Sequence, residues 1–469
     1  MSPLRAAARR TFAALSVRNF RLYMVGQIVS MSGTWMQSIA QVLLVLDRLH
    51  GTGFDVGLVL ALQFLPMLLF GTVGGLLADR VDKRHMLLGT QSAAGVLALT
   101  LGLLTLTGAV RLWHVYLLAT LLGLVTMIDN PTRQAFVSEM VGHRLVPNAV
   151  SLNSVVMNSA RVIGPAAGGA LIVTIGISSC FLANAASYVA VLAALLLMRT
   201  SELERHPPVL RAKGQVRDGL RYSWRTPVLR DTLLVVAVAG IFAFNFNVTL
   251  PLFAEVTFHG GAGTYAAFSS ALGLGAIVGG LLVASRSRPS PSALAAIGLS
   301  FGGMLAVVAI SPGEVFAVAA LVVMGAAMIA FTATANATLQ LSSEPTMRGR
   351  VMALYATAFL GSTPIGGPLV GGISDITNPR VVLLLGGAAT FAACLPMAKR
   401  YRRAGWQPLT APGRAEQPSD GEVPEMLPEP VPEPRLAPDS EDVQACWEGD
   451  GHGGRVPAAG VGGLAAGGS

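Results

Sequence analysis

Long apolar runs dominate this chain and leave it few ways to fold. A helix rises 1.5 Å per residue, so about 20 mostly apolar residues cross the hydrocarbon core of a bilayer. The sequence holds twelve such runs, at about 22–46, 56–78, 86–107, 113–138, 149–175, 180–198, 232–254, 265–284, 293–311, 314–338, 350–374 and 381–398. Backbone in lipid must satisfy its own hydrogen bonds, so runs of this length read as helices. Only 12% of the 469 residues are charged, roughly half the share of an ordinary soluble domain and too few to cover a water-exposed surface. The expectation is an all-α, multi-pass membrane protein. The basic segment before the first run could pass for the start of a signal peptide. That run is too long for a cleaved apolar core, however, and reads as the first span.

Charge placement sets the orientation. Twenty-six basic residues fall on the side of the N-terminus, and only Arg48, Arg111 and Arg380 on the other; Arg161 lies within a run. Cytoplasmic loops carry the excess of Lys and Arg, so both termini are expected in the cytoplasm. Residues 1–403 carry a net charge of +16, whereas the Pro/Gly-rich residues 404–469, with 3 basic and 11 acidic side chains, carry −8. Such a tail has little apolar area to offset the cost of ordering and reads as disordered. Membrane topology accounts for the basic excess, so no nucleic-acid partner is expected. Cys180, Cys394 and Cys446 form no pattern that implies a structural disulfide.

A duplication is visible inside the apolar region. Gly74-Gly75-Leu76-Leu77 recurs as Gly279-Gly280-Leu281-Leu282, and Gly164-Pro165-Ala166-Ala167-Gly168-Gly169 returns as Gly367-Pro368-Leu369-Val370-Gly371-Gly372. The offsets, 205 and 203, nearly agree. Two matches in one order indicate a six-span unit repeated in parallel, an arrangement that places a binding site between the halves near the midplane. The expected organisation is a cytoplasmic segment 1–21, a first half 22–198, a cytoplasmic loop 199–231, a second half 232–400 and a tail 401–469.

The loop after the second run reads GGLLADRVDKRH. It resembles the signature G-x-L-A-D-R-x-G-R-K/R of the major facilitator superfamily: Gly75, Leu77, Ala78, Asp79 and Arg80 match, Asp82 replaces the second glycine, and Lys83 and Arg84 keep the basic pair. The resemblance implies two pseudo-symmetric six-helix halves and a gating loop formed by Gly75, Asp79, Arg80, Lys83 and Arg84. The position equivalent to Asp79 in the second half is Ala284. The GPAAGG string is similar to the family's antiporter motif, with Ser151 and Ala160 in place of its leading glycines. The drug antiporters' R-x-x-x-G is absent, since Ala119 precedes Gly123 at that spacing. Asp129–Ala135, Asn158–Pro165, Gly33–Gln37 and Arg348–Met352 resemble the enterobactin-exporter-like branch, which includes secretion-effector-like members.

Few charges lie inside the runs, and each such charge is expensive. Arg161 sits about a dozen residues into the fifth, where a charge costs at least about 2.5–3.5 kcal/mol. Asp129 of the adjacent fourth run is its best candidate partner, with Arg133 nearby. The pair would either fix helix packing or serve a substrate anion or proton coupling. The motif residues Gly164, Pro165, Gly168, Gly169, Gly367, Pro368, Gly371 and Gly372 are candidates for close helix packing. Gln37 and Gln41 of the first run, and Asn245 and Asn247 of the seventh, are candidates for the cavity or for helix–helix hydrogen bonds. Gln63 and Pro66 read as packing and kink, and Asp47 and Glu255 as solvated ends.

No catalytic signature appears. The seven histidines show no metal-ligand spacing and no phosphate-binding loop is present, so no metal, cofactor or ATP-driven step is expected. The sequence points to a monomeric transporter of the cell membrane, exporting a small amphipathic molecule such as a drug-like compound or a siderophore or other secondary metabolite against protons. Import of a small nutrient, or a non-transporting sensor or assembly role, are the alternatives.

Overall fold

A computed structural model describes residues 12–204, 215–286 and 289–402. The acidic tail beyond 402, residues 1–11 and the middle of the central loop lie outside these. Among the described residues all regular structure is helical: α1 Arg18–Leu43, α2 Gly53–Arg80, α3 Lys83–Leu106, α4 Leu112–Gly142, α5 Arg144–Thr174, α6 Ile177–Leu196, α7 Gln215–Arg225, α8 Pro227–Phe242, α9 Phe246–Leu252, α10 Ala262–Arg286, α11 Pro291–Ala309, α12 Glu314–Leu341, α13 Arg348–Leu360, α14 Thr363–Ile376 and α15 Pro379–Tyr401. Helix starts follow local chemistry. Thr52 and Asp55 form a capping box at α2, Asp82 caps α3, and Ser290 and Asn378 cap α11 and α15 just before a proline.

Eleven helices are long and apolar enough to span a bilayer. The expected span 350–374 is instead two helices, α13 and α14, of 13 and 14 residues, meeting at Gly361-Ser362. Neither piece alone reaches the length of a span. The seventh span is also broken, between α8 and α9. There Asn245 Nδ2 donates to the carbonyls of Gly240 (3.2 Å) and Ile241 (2.7 Å), satisfying acceptors that the break would leave bare.

Helices α4 and α5 are continuous except at Gly142, whose φ of 66° is a conformation that favours glycine. A straight helix of 63 residues would run roughly 95 Å, about three bilayer cores. The two arms fold back on each other instead. As α1 advances from Tyr23 to Gln27, its α4 neighbours retreat from Phe136 to Arg133. As it advances from Trp35 to Met36, its α5 neighbours advance from Gly164 to Gly168. Arg133 therefore belongs to the span itself and not to the loop after it.

Packing follows the duplication. A Cβ on Gly74 would press on the Met127 carbonyl of α4, and one on Gly279 on Ala326 of α12, each 2.5 Å away. The second helix of each half thus crosses the fourth at equivalent glycines. With lipid on the outside, van der Waals contact at such small residues replaces hydrophobic burial as the force joining helices.

Candidate functional site

A cavity of about 450 Å³ lies between the halves. Trp35, Ser38, Phe64, Arg161 and Pro165 of α1, α2 and α5 face Phe244, Asn247, Tyr265, Thr332, Tyr355 and Phe359 from the second half. An adjoining cavity of about 180 Å³ is lined by Gln37, Gln41, Gln63 and Asn247. Three of the four expected cavity amides are therefore found there. Gln37 also accepts from Asn184 Nδ2 of α6 at 2.7 Å. Asn245 is the exception, occupied at the helix break and not in the wall.

The expected pairing of Arg161 with Asp129 is not formed. Asp129 is buried and pairs with Arg133 one turn along α4, the Oδ2 atom receiving both Arg133 Nε (3.1 Å) and Nη2. Its other oxygen accepts from Thr90 Oγ1 and Gln91 Nε2 of α3, each at 2.7 Å, and Arg133 Nη1 donates to Gln27 of α1 at 2.5 Å. Five side chains thus tie α1, α3 and α4 together. The geometry of the turn explains the miss: Asp129 lies 13 residues before Gly142 and Arg161 lies 19 after it, so their axial levels differ by roughly 9 Å. Arg161 instead enters the cavity wall, its guanidinium 5.0 Å from the centroid of the Trp35 ring.

Two crossings join the halves at glycines. A Cβ on Gly371 would lie 2.9 Å from Phe54 N of α2, and one on Gly57 2.6 Å from Pro368 N, so α2 and α14 meet backbone to backbone. Asp375, at the end of α14, accepts from the amides of Gly53 (2.7 Å) and Phe54 (2.8 Å) at the start of α2. Its charge faces the positive end of the helix dipole. The equivalent pair in the other direction is α5 with α10: a Cβ on Gly169 would meet Ala266 at 2.5 Å, and Ser270 Oγ donates to the Val162 carbonyl at 3.4 Å. Gly164 and Gly168 pack on α1, with a Gly164 Cβ placed 2.8 Å from the Ser32 carbonyl. Asp375 was not among the residues the sequence singled out; its place just before the Asn378-Pro379 start of α15 marked it only as a span end.

In the candidate gating loop, the side chains of Gly75 and Asp79 lie outside the described residues. Arg80 is exposed. Lys83 Nζ pairs with Glu139 of α4 at 2.6 Å, and Arg84 donates to the carbonyls of Leu195 (2.8 Å) and Leu196 (3.3 Å) at the end of α6. Both basic residues therefore hold the loop to their own half, Arg84 by capping bare helix carbonyls. At the opposite membrane face, Glu255 departs from expectation: it is half-buried, with Oε2 lacking a hydrogen-bond partner.

A family model described as transmembrane secretion effector matches residues 9–411. The chain belongs to the transmembrane secretion effector family. Its relatives carry transporter names. It is 27% identical to the MFS-type transporter YfiS of Bacillus subtilis over 46% of its own length, spanning about half (51%) of that relative. It is 23% identical to the multidrug efflux pump Tap of Mycolicibacterium fortuitum, over 79% of the chain and 94% of the pump. It is 24% identical to the enterobactin exporter EntS of Shigella flexneri, over 77% and 86%. The fold matches the crystal structure of a bacterial homologue of the human lysosomal transporter Spinster, solved inward-facing and unoccupied, with a TM-score of 0.63, 14% identity, and coverage of 81% of this chain and 95% of that one. The chain is thus a helical, membrane-embedded member of a family whose relatives are named as transporters.

Proposed function

We propose that this transporter is an efflux permease of the cell membrane, moving a small amphipathic molecule outward by alternating access. The observation that carries this is the cavity shared by both halves; in this reading the α2–α14 crossing and Asp375 are the seal of one end. Breaking that seal and closing the opposite end exposes the same wall to the other side. The efflux names of Tap and EntS, and the motif glycines on the helices that cross between halves, support export.

In this reading the chain makes twelve passes, the broken pair α13 and α14 supplying one of them, with both termini cytoplasmic. It works as a monomer. The loop of Gly75, Asp79, Arg80, Lys83 and Arg84 gates the end opposite Asp375. The paired Asp129 and Arg133 hold the first half together, and Arg161 serves the cavity. Entering protons drive the substrate, which is drug-like or a siderophore or other secondary metabolite.

Purified protein in liposomes tests this. An imposed proton gradient is expected to move a fluorescent amphipathic probe several-fold faster than in empty liposomes, with dissipation of the gradient returning the rate to background. Transport unaffected by the gradient would remove proton coupling. No transport across a broad panel would favour a sensor or assembly role.

A further inference from the structure

The charge in the cavity wall selects what can occupy it. Arg161 is the one side chain charged at neutral pH among the described residues lining this cavity. A guanidinium offers five donors in a planar fork. The Arg161 Nε is buried with no acceptor, and among the described residues no carboxylate pairs with the group; Trp35, stacked at 5.0 Å, supplies only the face of a ring. Arg133, the cation deep in α4, is by contrast compensated by Asp129 and Gln27. The rest of the wall is largely aromatic and aliphatic, with Phe244, Tyr265, Tyr355 and Phe359 opposite.

We propose that the cavity binds an organic monoanion, with one carboxylate, sulfonate or phenolate-type group on Arg161 and an aromatic or apolar body against the second half. This rests on the export reading above and names its substrate class. The electrostatics discriminate between classes. A neutral ligand leaves the guanidinium unpaired at low dielectric, a cation meets like charge, and a dianion carries a second charge into a wall that has nothing to pair with it. A monoanion cancels the charge and supplies acceptors for the idle donors. A volume of about 450 Å³ holds a molecule of two or three rings.

Two probes that share a ring system separate charge from shape: anilinonaphthalenesulfonate, a monoanion, and N-phenylnaphthylamine, its uncharged counterpart. Binding is measured by equilibrium dialysis with the full chain in nanodiscs, subtracting empty nanodiscs. Wild type is expected to hold the sulfonate about tenfold or more tightly than the amine, the scale of one charge-assisted contact. Arg161→Gln should abolish that preference by weakening the sulfonate, with the amine bound no less tightly than in wild type. Arg161→Lys, which keeps the charge but not the fork, should retain part of it and stands in should the Gln variant not fold. Equal affinity for both probes in wild type, or a preference that survives Arg161→Gln, overturns the proposal. Flux of the same probes in liposomes separates this from the export reading: wild type that binds the sulfonate selectively yet moves neither probe refutes export alone, while equal export of both refutes the anion site alone.

Discussion

Asp129→Asn is expected to cost about 3–5 kcal/mol of stability, the usual consequence of removing one partner from a buried ion pair. The substitution preserves shape, so the loss is electrostatic. Arg133 is left buried with Gln27 alone, and an amide N–H can be turned toward its guanidinium, donor against donor. Because the cluster joins α1, α3 and α4, the defect spreads to three helices. Heating detergent-purified protein and following the monodisperse fraction would show a lower midpoint. Adding Arg133→Gln should recover much of the loss, since a neutral amide pair replaces the orphaned charge. Arg161→Gln should behave oppositely and leave the midpoint unchanged or raised, because it removes a charge that has no counter-ion. A midpoint for Asp129→Asn equal to wild type would show that the cluster does not hold the first half together.

Gly371→Ala is expected to suppress transport strongly while protein abundance stays normal. The added methyl would lie 2.9 Å from Phe54 N and closer still to the Gly53 carbonyl, both backbone atoms that cannot step aside. Overpacking of this kind costs about 1–3 kcal/mol. The cost falls only on the state in which α2 and α14 touch, so the balance between states moves by roughly 5- to 150-fold away from the sealed one. Gly372→Ala is the matched control: its methyl would meet only Phe54 Cδ2, at an ordinary 3.6 Å. Cysteine accessibility at the sealed end should rise for Gly371→Ala and not for Gly372→Ala. Equal transport by the two variants would show that backbone contact at this crossing does not limit the cycle.

The helical, membrane-embedded fold was legible because it is written locally, in runs of apolar residues, and the repeated glycine strings stand at equivalent helix crossings. The break at Gly361-Ser362 was not, because hydropathy averages over a run and does not register two residues at which the helix stops. Its trace is the Gly-Ser-Thr-Pro order of 361–364, small polar residues ahead of a proline that disfavours helical backbone just before it. The site was harder. Arg161 was identifiable from its cost in lipid, but its partner was sought across helices, whereas the i,i+4 spacing of Asp129 and Arg133 already offered Asp129 a nearer cation. Asp375 bonds to amides more than 320 residues away, a distance over which sequence periodicity carries no information.

The fold-back at Gly142 also bears on how the chain is made. With a single non-helical residue at the turn between α4 and α5, the stretch joining the runs 113–138 and 149–175 is short and itself helical. Such a turn leads to the expectation that the two helices enter lipid together as one hairpin. Arg161, the least lipid-compatible residue of the pair, is thus carried in by a neighbour and not alone. Inserting a hydrophilic linker at Gly142 would uncouple the arms, and glycosylation mapping would then report α5 left outside the membrane.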